Sequence, residues 1–193
     1  LLIVDNCKFI NSSSQGTTGP SAGAILSLYT NVSVSGSYFE NCFNNLSSSS
    51  SSMAAGAILS SSYGSSHYLN VTNSVFVNCH AIATSTSTAG GAIVSAKAGN
   101  INYNIFINNT AGCRADYSGN DVSYVQNGNV NIDYNYWGTN TPAVSTTTEV
   151  GNINGTLPSY WIVLDSEINE TDVKLGSDYE VSAVFKVTDG TEE

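Results

Sequence analysis

The sequence predicts an all-β fold, a parallel β-helix in which the chain winds through a repeating coil and lays each turn on the one before. Three observations predict it. Aromatic residues recur in a fixed register, apolar and polar residues alternate around each of them, and a second motif of small residues followed by isoleucine recurs between them. A period near 30 residues is the mark of a solenoid, and alternation with period two is the mark of a strand.

The aromatic register is Phe9, Phe39, Phe76, Phe106 and Trp137, with spacings of 30, 37, 30 and 31 residues. Five positions before each stands Val4, Val34, Val71, Ile101 or Ile132. Seven before stands Leu2, Val32, Leu69, Gly99 or Val130. Two before stands Cys7, Ser37, Ser74, Asn104 or Asn135. Two after stands Asn11, Asn41, Asn78 or Asn108, with Thr139 in the final copy. In-register stacking at about 4.8 Å puts like on like, so these columns predict a structural ladder of aromatic rings and an inward ladder of asparagines. About five rungs follow from the five copies.

The second motif reads Ala22-Gly23-Ala24-Ile25, Ala55-Gly56-Ala57-Ile58 and Gly90-Gly91-Ala92-Ile93, and Asp121 to Val125 is its degenerate stand-in. Small residues before Ile suit a strand packed at a tight corner. The serine run Ser47 to Ser52 and the Ser/Thr alternation Thr84 to Thr88 fall between the motifs and read as surface loops. A β-sandwich would show short strands too, but it would not place one residue type at one position in every copy.

Composition fits an exported surface protein. Of 193 residues only 10% are charged, and Ser, Thr, Asn and Gly supply the polar surface. Five scattered Lys and Arg against 15 Asp and Glu exclude a nucleic-acid footprint and an anionic membrane surface. No long apolar run predicts a membrane span. Acids concentrate at the end: residues 165–193 hold nine acids and two bases, whereas 1–164 hold six and three. The opening Leu1-Leu2-Ile3-Val4 reads as mid-strand, so the chain is expected to be a piece of a longer polypeptide.

The Gly-Gly-Ala-Ile motif, the block Asn73-Ser74-Val75-Phe76-Val77-Asn78 and the ending Asn135-Tyr136-Trp137-Gly138-Thr139-Asn140-Thr141-Pro142 resemble the adhesin-like surface proteins of methanogenic archaea. The resemblance implies a right-handed β-helix closed by the Tyr-Trp-Gly ending and followed by immunoglobulin-like domains. It divides the chain into a β-helix over 1–143, a closing segment over 144–160 and an incomplete immunoglobulin-like β segment over 161–193. The last stretch is too short for a domain of about 100 residues, so it is either a truncated domain or a pair of strands donated to a neighbouring subunit.

Chemistry-bearing residues are sparse. A polysaccharide lyase or glycosidase needs paired carboxylates. Asp5 and Asp133 share a register position at opposite ends of the coil, Glu40 stands alone, and Arg114 is the single arginine. The reading is therefore non-enzymatic, with no cofactor. Asp116, Ser118, Asn120 and Asp121 form a weak candidate calcium loop. Cys42 and Cys79 fall on adjacent rungs as a candidate disulfide, weighed against buried free thiols. Asn45, Asn154, Asn169, Asn31 and Asn70 are glycosylation candidates, while the sequons at Asn11 and Asn108 are expected to be hidden by the inward ladder. The expected function is an extracellular shaft that contacts cell-surface carbohydrate or a partner cell. The alternatives are a subunit of a surface filament, contacting copies of itself end to end or by strand donation, and a polysaccharide-active enzyme.

Overall fold

A computed structural model describes residues 1–47, 52–61, 67–83, 88–95, 98–112, 118–119, 122–124, 129–141, 150–151, 158–168 and 181–191. These residues form an all-β parallel solenoid. Strands come in sets of five. The first set is β1 (Leu2–Asp5), β2 (Lys8–Ile10), β3 (Ser13–Gly16), β4 (Ser21–Ala22) and β5 (Ile25–Ser27). The second is β6 (Val32–Ser35), β7 (Tyr38–Glu40), β8 (Phe43–Leu46), β9 (Met53–Ala55) and β10 (Ile58–Ser60). The third is β11 (Tyr68–Thr72), β12 (Val75–Val77), β13 (His80–Ala83), β14 (Thr88–Gly90) and β15 (Ile93–Ser95). Then come β16 (Ala98–Asn102), β17 (Ile105–Ile107), β18 (Thr110–Gly112), β19 (Ser118–Gly119), β20 (Val122–Tyr124), β21 (Asn129–Asn131) and β22 (Val150–Gly151).

Each strand pairs in parallel with its equivalent in the next set. The strand orders are β1-β6-β11-β16-β21, β22-β20-β15-β10-β5, β17-β12-β7-β2, β18-β13-β8-β3 and β19-β14-β9-β4. The register matches the sequence columns: Phe9 pairs Phe39, which pairs Phe76, which pairs Phe106. Val122 pairs Ile93, so the stand-in motif takes the isoleucine position.

Three apolar clusters fill the coil. The largest runs through Val32, Val34, Phe39, Ile58, Phe76, Ile93, Phe106 and Trp137. A second, Leu46, Ala54, Ala81, Ala83 and Ala89, consists almost wholly of methyl-sized side chains from the β8/β13 and β9/β14 levels, which therefore approach closely as a side chamber. The third is Ala22, Met53, Ala55, Leu59 and Val94. Leu59 and Val94 neighbour Ile58 and Ile93 in their strands and so face the opposite side. They are nonetheless fully buried, because the returning side chamber covers that face.

The glycines of the second motif mark the waist between the chambers. A Cβ on Gly23 would lie 2.1 Å from the Gly56 carbonyl oxygen and 2.8 Å from that of Phe43. One strand leaves for the side chamber there as another returns, and only glycine leaves room for both backbones.

The expected inward asparagine ladder is corrected. Asn11, Asn41, Asn78 and Asn108 are exposed, with φ of 55°, 51°, 52° and 53°. Each ends a strand in the left-handed conformation that turns the chain through a corner, where Asn is tolerated and most residues are not. The column is conserved in type along the coil by backbone geometry rather than by burial. Asn78→Gly is expected to leave stability within about 0.5 kcal/mol of the parent, and Asn78→Ala to lose about 1 kcal/mol, by urea unfolding. Equal losses in both variants would show that the side chain, not the φ angle, holds the corner.

The inward polar ladders stand at two other positions. Two residues before each aromatic, Ser37 Oγ accepts from the Cys7 N–H at 3.1 Å and Ser74 Oγ accepts from the Ser37 N–H at 3.1 Å. Asn104 Oδ1 accepts from the Ser74 N–H at 3.0 Å, and Asn135 Oδ1 from the Asn104 N–H at 2.9 Å. Three residues after each aromatic, Asn109 Oδ1 accepts from the Cys79 N–H at 2.8 Å. In each of these bonds a small polar side chain accepts an N–H of the turn before it, and the Ser37, Ser74, Cys79 and Asn104 N–H groups are buried, where orphaning would cost about 1–3 kcal/mol each.

At the far end β23 (Trp161–Ile168) and β24 (Val181–Thr188) form an antiparallel pair. Its opening belongs to the coil. The Tyr134 N–H donates to the Tyr160 carbonyl and the Ile162 N–H to the Asn135 carbonyl, both at 2.9 Å. Asn140 Oδ1 accepts from the Leu164 N–H and Asn140 Nδ2 donates to the Leu164 carbonyl, both at 2.7 Å. Trp161 packs on the main cluster beside the aromatic column. Tyr160, Ile162 and Leu164 thus bond residues of this same chain through their main chain.

Candidate functional site

The aromatic column is continuous. Ring centroids lie 4.8 Å apart from Phe9 to Phe39 and from Phe39 to Phe76, and 5.1 Å apart from Phe76 to Phe106 and from Phe106 to Trp137. Phe39, Phe76, Phe106 and Trp137 are buried and Phe9 is half-buried, so the column belongs to the core of the coil.

Among the described residues of the coil, the carboxylates Asp5, Glu40 and Asp133 have separate surroundings. Asp5 accepts from Ser35 Oγ at 2.6 Å and from Asn6 Nδ2 at 2.9 Å. Asp133 Oδ1 accepts from the Ser159 N–H at 2.6 Å and the Tyr160 N–H at 3.3 Å, pinning the segment that leads into β23. Glu40 lies beside Tyr38, whose hydroxyl is raised above the usual phenol range by desolvation and then by the Glu40 charge. Lys186 binds Asp165 at 2.8 Å and Glu167 at 3.1 Å across the hairpin, which holds the Asp165 carboxyl below its ordinary range. That exposed ion pair contributes little to stability. Among the described residues no three His, Cys, Asp or Glu side chains gather as a metal site. Of the calcium-loop candidates, Asp116, Asn120 and Asp121 lie outside the described residues, and Ser118 opens β19.

Cys42 and Cys79 are buried and unjoined. Cys42 Sγ lies 3.6 Å from the Phe9 carbonyl oxygen, and Cys79 Sγ lies 3.7 Å from that of Phe39. The Cys79 thiol is held well above its ordinary range by its hydrogen bond with Cys42 and by burial. Both occupy the inner polar ladder that Asn109 continues, so they act there as weak donors.

The sequons divide by geometry. Asn31 and Asn70 are half-buried, and each accepts a backbone N–H from the next turn, Tyr68 at 3.1 Å and Asn100 at 3.0 Å. Asn45 is half-buried in mid-strand between Gln15 and Ile82. Asn154 and Asn169 lie outside the described residues. Asn11 and Asn108, expected to be hidden, are exposed at the corner.

The outer surface also carries a tyrosine stack. Three residues before each aromatic lies the other left-handed corner, Asn6, Gly36, Asn73, Tyr103 and Tyr134, with φ of 50°, 55°, 51°, 59° and 61°. The first three suit that conformation, but tyrosine does not. Tyr103 stacks on Tyr134 at 5.3 Å and Tyr134 on Tyr160 at 5.7 Å, with the rings within 6° of parallel. Tyr103 and Tyr160 are 53% and 42% exposed. The Asn-Gly-Asn run could have identified the corner from sequence. The stack itself could not be read, because Tyr160 joins it from outside the repeat.

No protein-family model, no curated protein and no solved structure matches the chain.

Proposed function

We propose that the chain is part of an extracellular, adhesin-like surface protein of archaeal type, in which a right-handed coil of about five rungs serves as a stiff shaft. The shaft holds a carbohydrate- or cell-contacting surface away from its base, and the hairpin begins an immunoglobulin-like domain that continues it. The observation that carries the reading is the unbroken ring stack from Phe9 to Trp137, since a column packed at every level resists bending and binds nothing itself. The uncharged Ser-, Thr- and Asn-rich surface and the scattered, structurally engaged carboxylates support it. Among the described residues no helix is long and apolar enough to cross a membrane.

The test pairs a cell-surface binding assay with a polysaccharide digest. Purified chain is expected to adhere to surface polysaccharide and to release no reducing ends or unsaturated products. Product release above a heat-treated control would replace the shaft with a polysaccharide-active enzyme.

A further inference from the structure

We propose that the corner carrying Tyr103 binds a neutral pyranose ring, which takes the next place in the tyrosine stack on the face of Tyr103 turned toward Asn73. The proposal rests on the reading of the chain as a carbohydrate-contacting element, and it adds a place and a class of sugar.

The stack ends abruptly. Tyr134 has a ring on either side, at 5.3 and 5.7 Å. Among the described residues Tyr103 has one ring partner, and its column continues as Asn73, Gly36 and Asn6. The rings stack from turn to turn, so their faces look along the coil axis. The level adjoining Tyr103 therefore holds one exposed amide side chain, and the level past it holds glycine. The outward face of Tyr103 is thus bordered by the Asn73 amide rather than by another ring, and at the level past it the Asn6 amide oxygen stands 2.5 Å from where a Gly36 Cβ would lie.

A pyranose ring matches that face. The C–H face of a sugar packs on an aromatic face, as an aromatic ring would. The Asn73 amide offers two donors and an acceptor to ring hydroxyls. Tyrosine in the left-handed region is disfavoured by about 1–2 kcal/mol relative to the residues that suit it, and two successive levels bear that cost. Stacking of Tyr103 on Tyr134 offsets part of it, but Asn at both positions would satisfy the corner without it. Charge selects among sugars. The chain carries 15 acids against five bases, and Thr72, Ser74, Asn102 and Asn104, which flank Asn73 and Tyr103, are uncharged. Uronic or sulfated sugars are repelled there and gain no cationic partner.

The test is affinity electrophoresis of the full chain in native gels containing a neutral β-linked glucan, a neutral mannan or polygalacturonate. The expected result is retardation by a neutral polysaccharide and not by polygalacturonate. Tyr103→Asn restores the residue type that the corner favours, so it is expected to melt no lower than the parent while binding about tenfold more weakly. Tyr38→Ala, on a different face, is expected to bind like the parent. Undiminished binding by Tyr103→Asn would overturn this site and leave the carbohydrate reading standing. Equal retardation by polygalacturonate would overturn the neutral class, and no retardation by any glycan would overturn both the site and the reading.

Discussion

Gly56→Ala is expected to cost roughly 3 kcal/mol or more and to abolish the cooperative melt of the coil in far-UV circular dichroism. The added Cβ would stand 1.9 Å from the Gly91 carbonyl oxygen and 2.7 Å from the His80 backbone nitrogen. Both obstacles are main chain, so no rotamer change relieves the contact. Relief requires adjacent turns to separate at the waist. The Gly56 N–H donates to Gly90 at 3.0 Å, and the Ala57 and Ile58 N–H groups both donate to Ala92, at 3.0 and 2.9 Å. Separation stretches all three bonds. It also displaces the Gly56 carbonyl, against which Gly23 packs, so the distortion passes to the preceding turn. In a solenoid each turn is completed by its neighbours, and a local dislocation is not contained. Gly19 is the control. Its φ is +77° and a Cβ there meets nothing within 4 Å, so Gly19→Ala bears only the left-handed penalty of about 1 kcal/mol. Similar melts for Gly56→Ala and Gly19→Ala would remove the waist argument.

The fold was legible in the sequence to the extent that stacking repeats side chains. Phe9, Phe39, Phe76 and Phe106 pair in the register their spacing predicts. The 37-residue copy causes no slip, because the extra length falls between the columns. What repetition does not reveal is direction. Asn11 and its equivalents recur as faithfully as the phenylalanines, yet they recur for their φ angle and point outward. Ser37, Ser74, Asn104 and Asn135 change in identity along the coil, yet they form the true inner ladder, because the shared requirement is a short acceptor for one N–H. A column of constant residue type can thus report conformation, and a column of varied type can report burial. The side chamber was also hidden. Its core is alanine, and Ala54, Ala81 and Ala89 look like surface residues in a sequence rich in Ser and Thr.

The site was less legible for a different reason. Tyr103 and Tyr134 occupy positions that other copies fill with Asn or Gly, so in an alignment of copies they read as departures. Their meaning appears only when Tyr160, from the segment leading into β23, is seen to lie on the same stack. Likewise Asp133 reads as an isolated carboxylate in sequence. In the fold it accepts the Ser159 and Tyr160 N–H groups and so places that third ring.

Phe76→Ala is the second large effect, and it tests whether the column behaves as one body. Phe76 is fully buried, with Phe39 at 4.8 Å on one side and Phe106 at 5.1 Å on the other. Truncation at such a position costs about 3–5 kcal/mol from transfer and cavity together, and the two lost ring contacts weigh within or beyond that range. The cavity cannot collapse, because the strands on either side are fixed by β12 pairing with β7 and β17. Phe9→Ala makes the same chemical change at a half-buried position with one ring partner, so roughly half the loss or less is expected. Phe76→Leu keeps most of the volume and removes the stacking, which places it between the two. The denaturant slope carries further information. A column acting as one body loses midpoint at unchanged slope in Phe76→Ala. A column that parts at the missing ring leaves turns on each side that unfold separately, with a shallower slope or two transitions. A stiff shaft requires the first outcome, because bending under load begins where neighbouring turns can unfold independently.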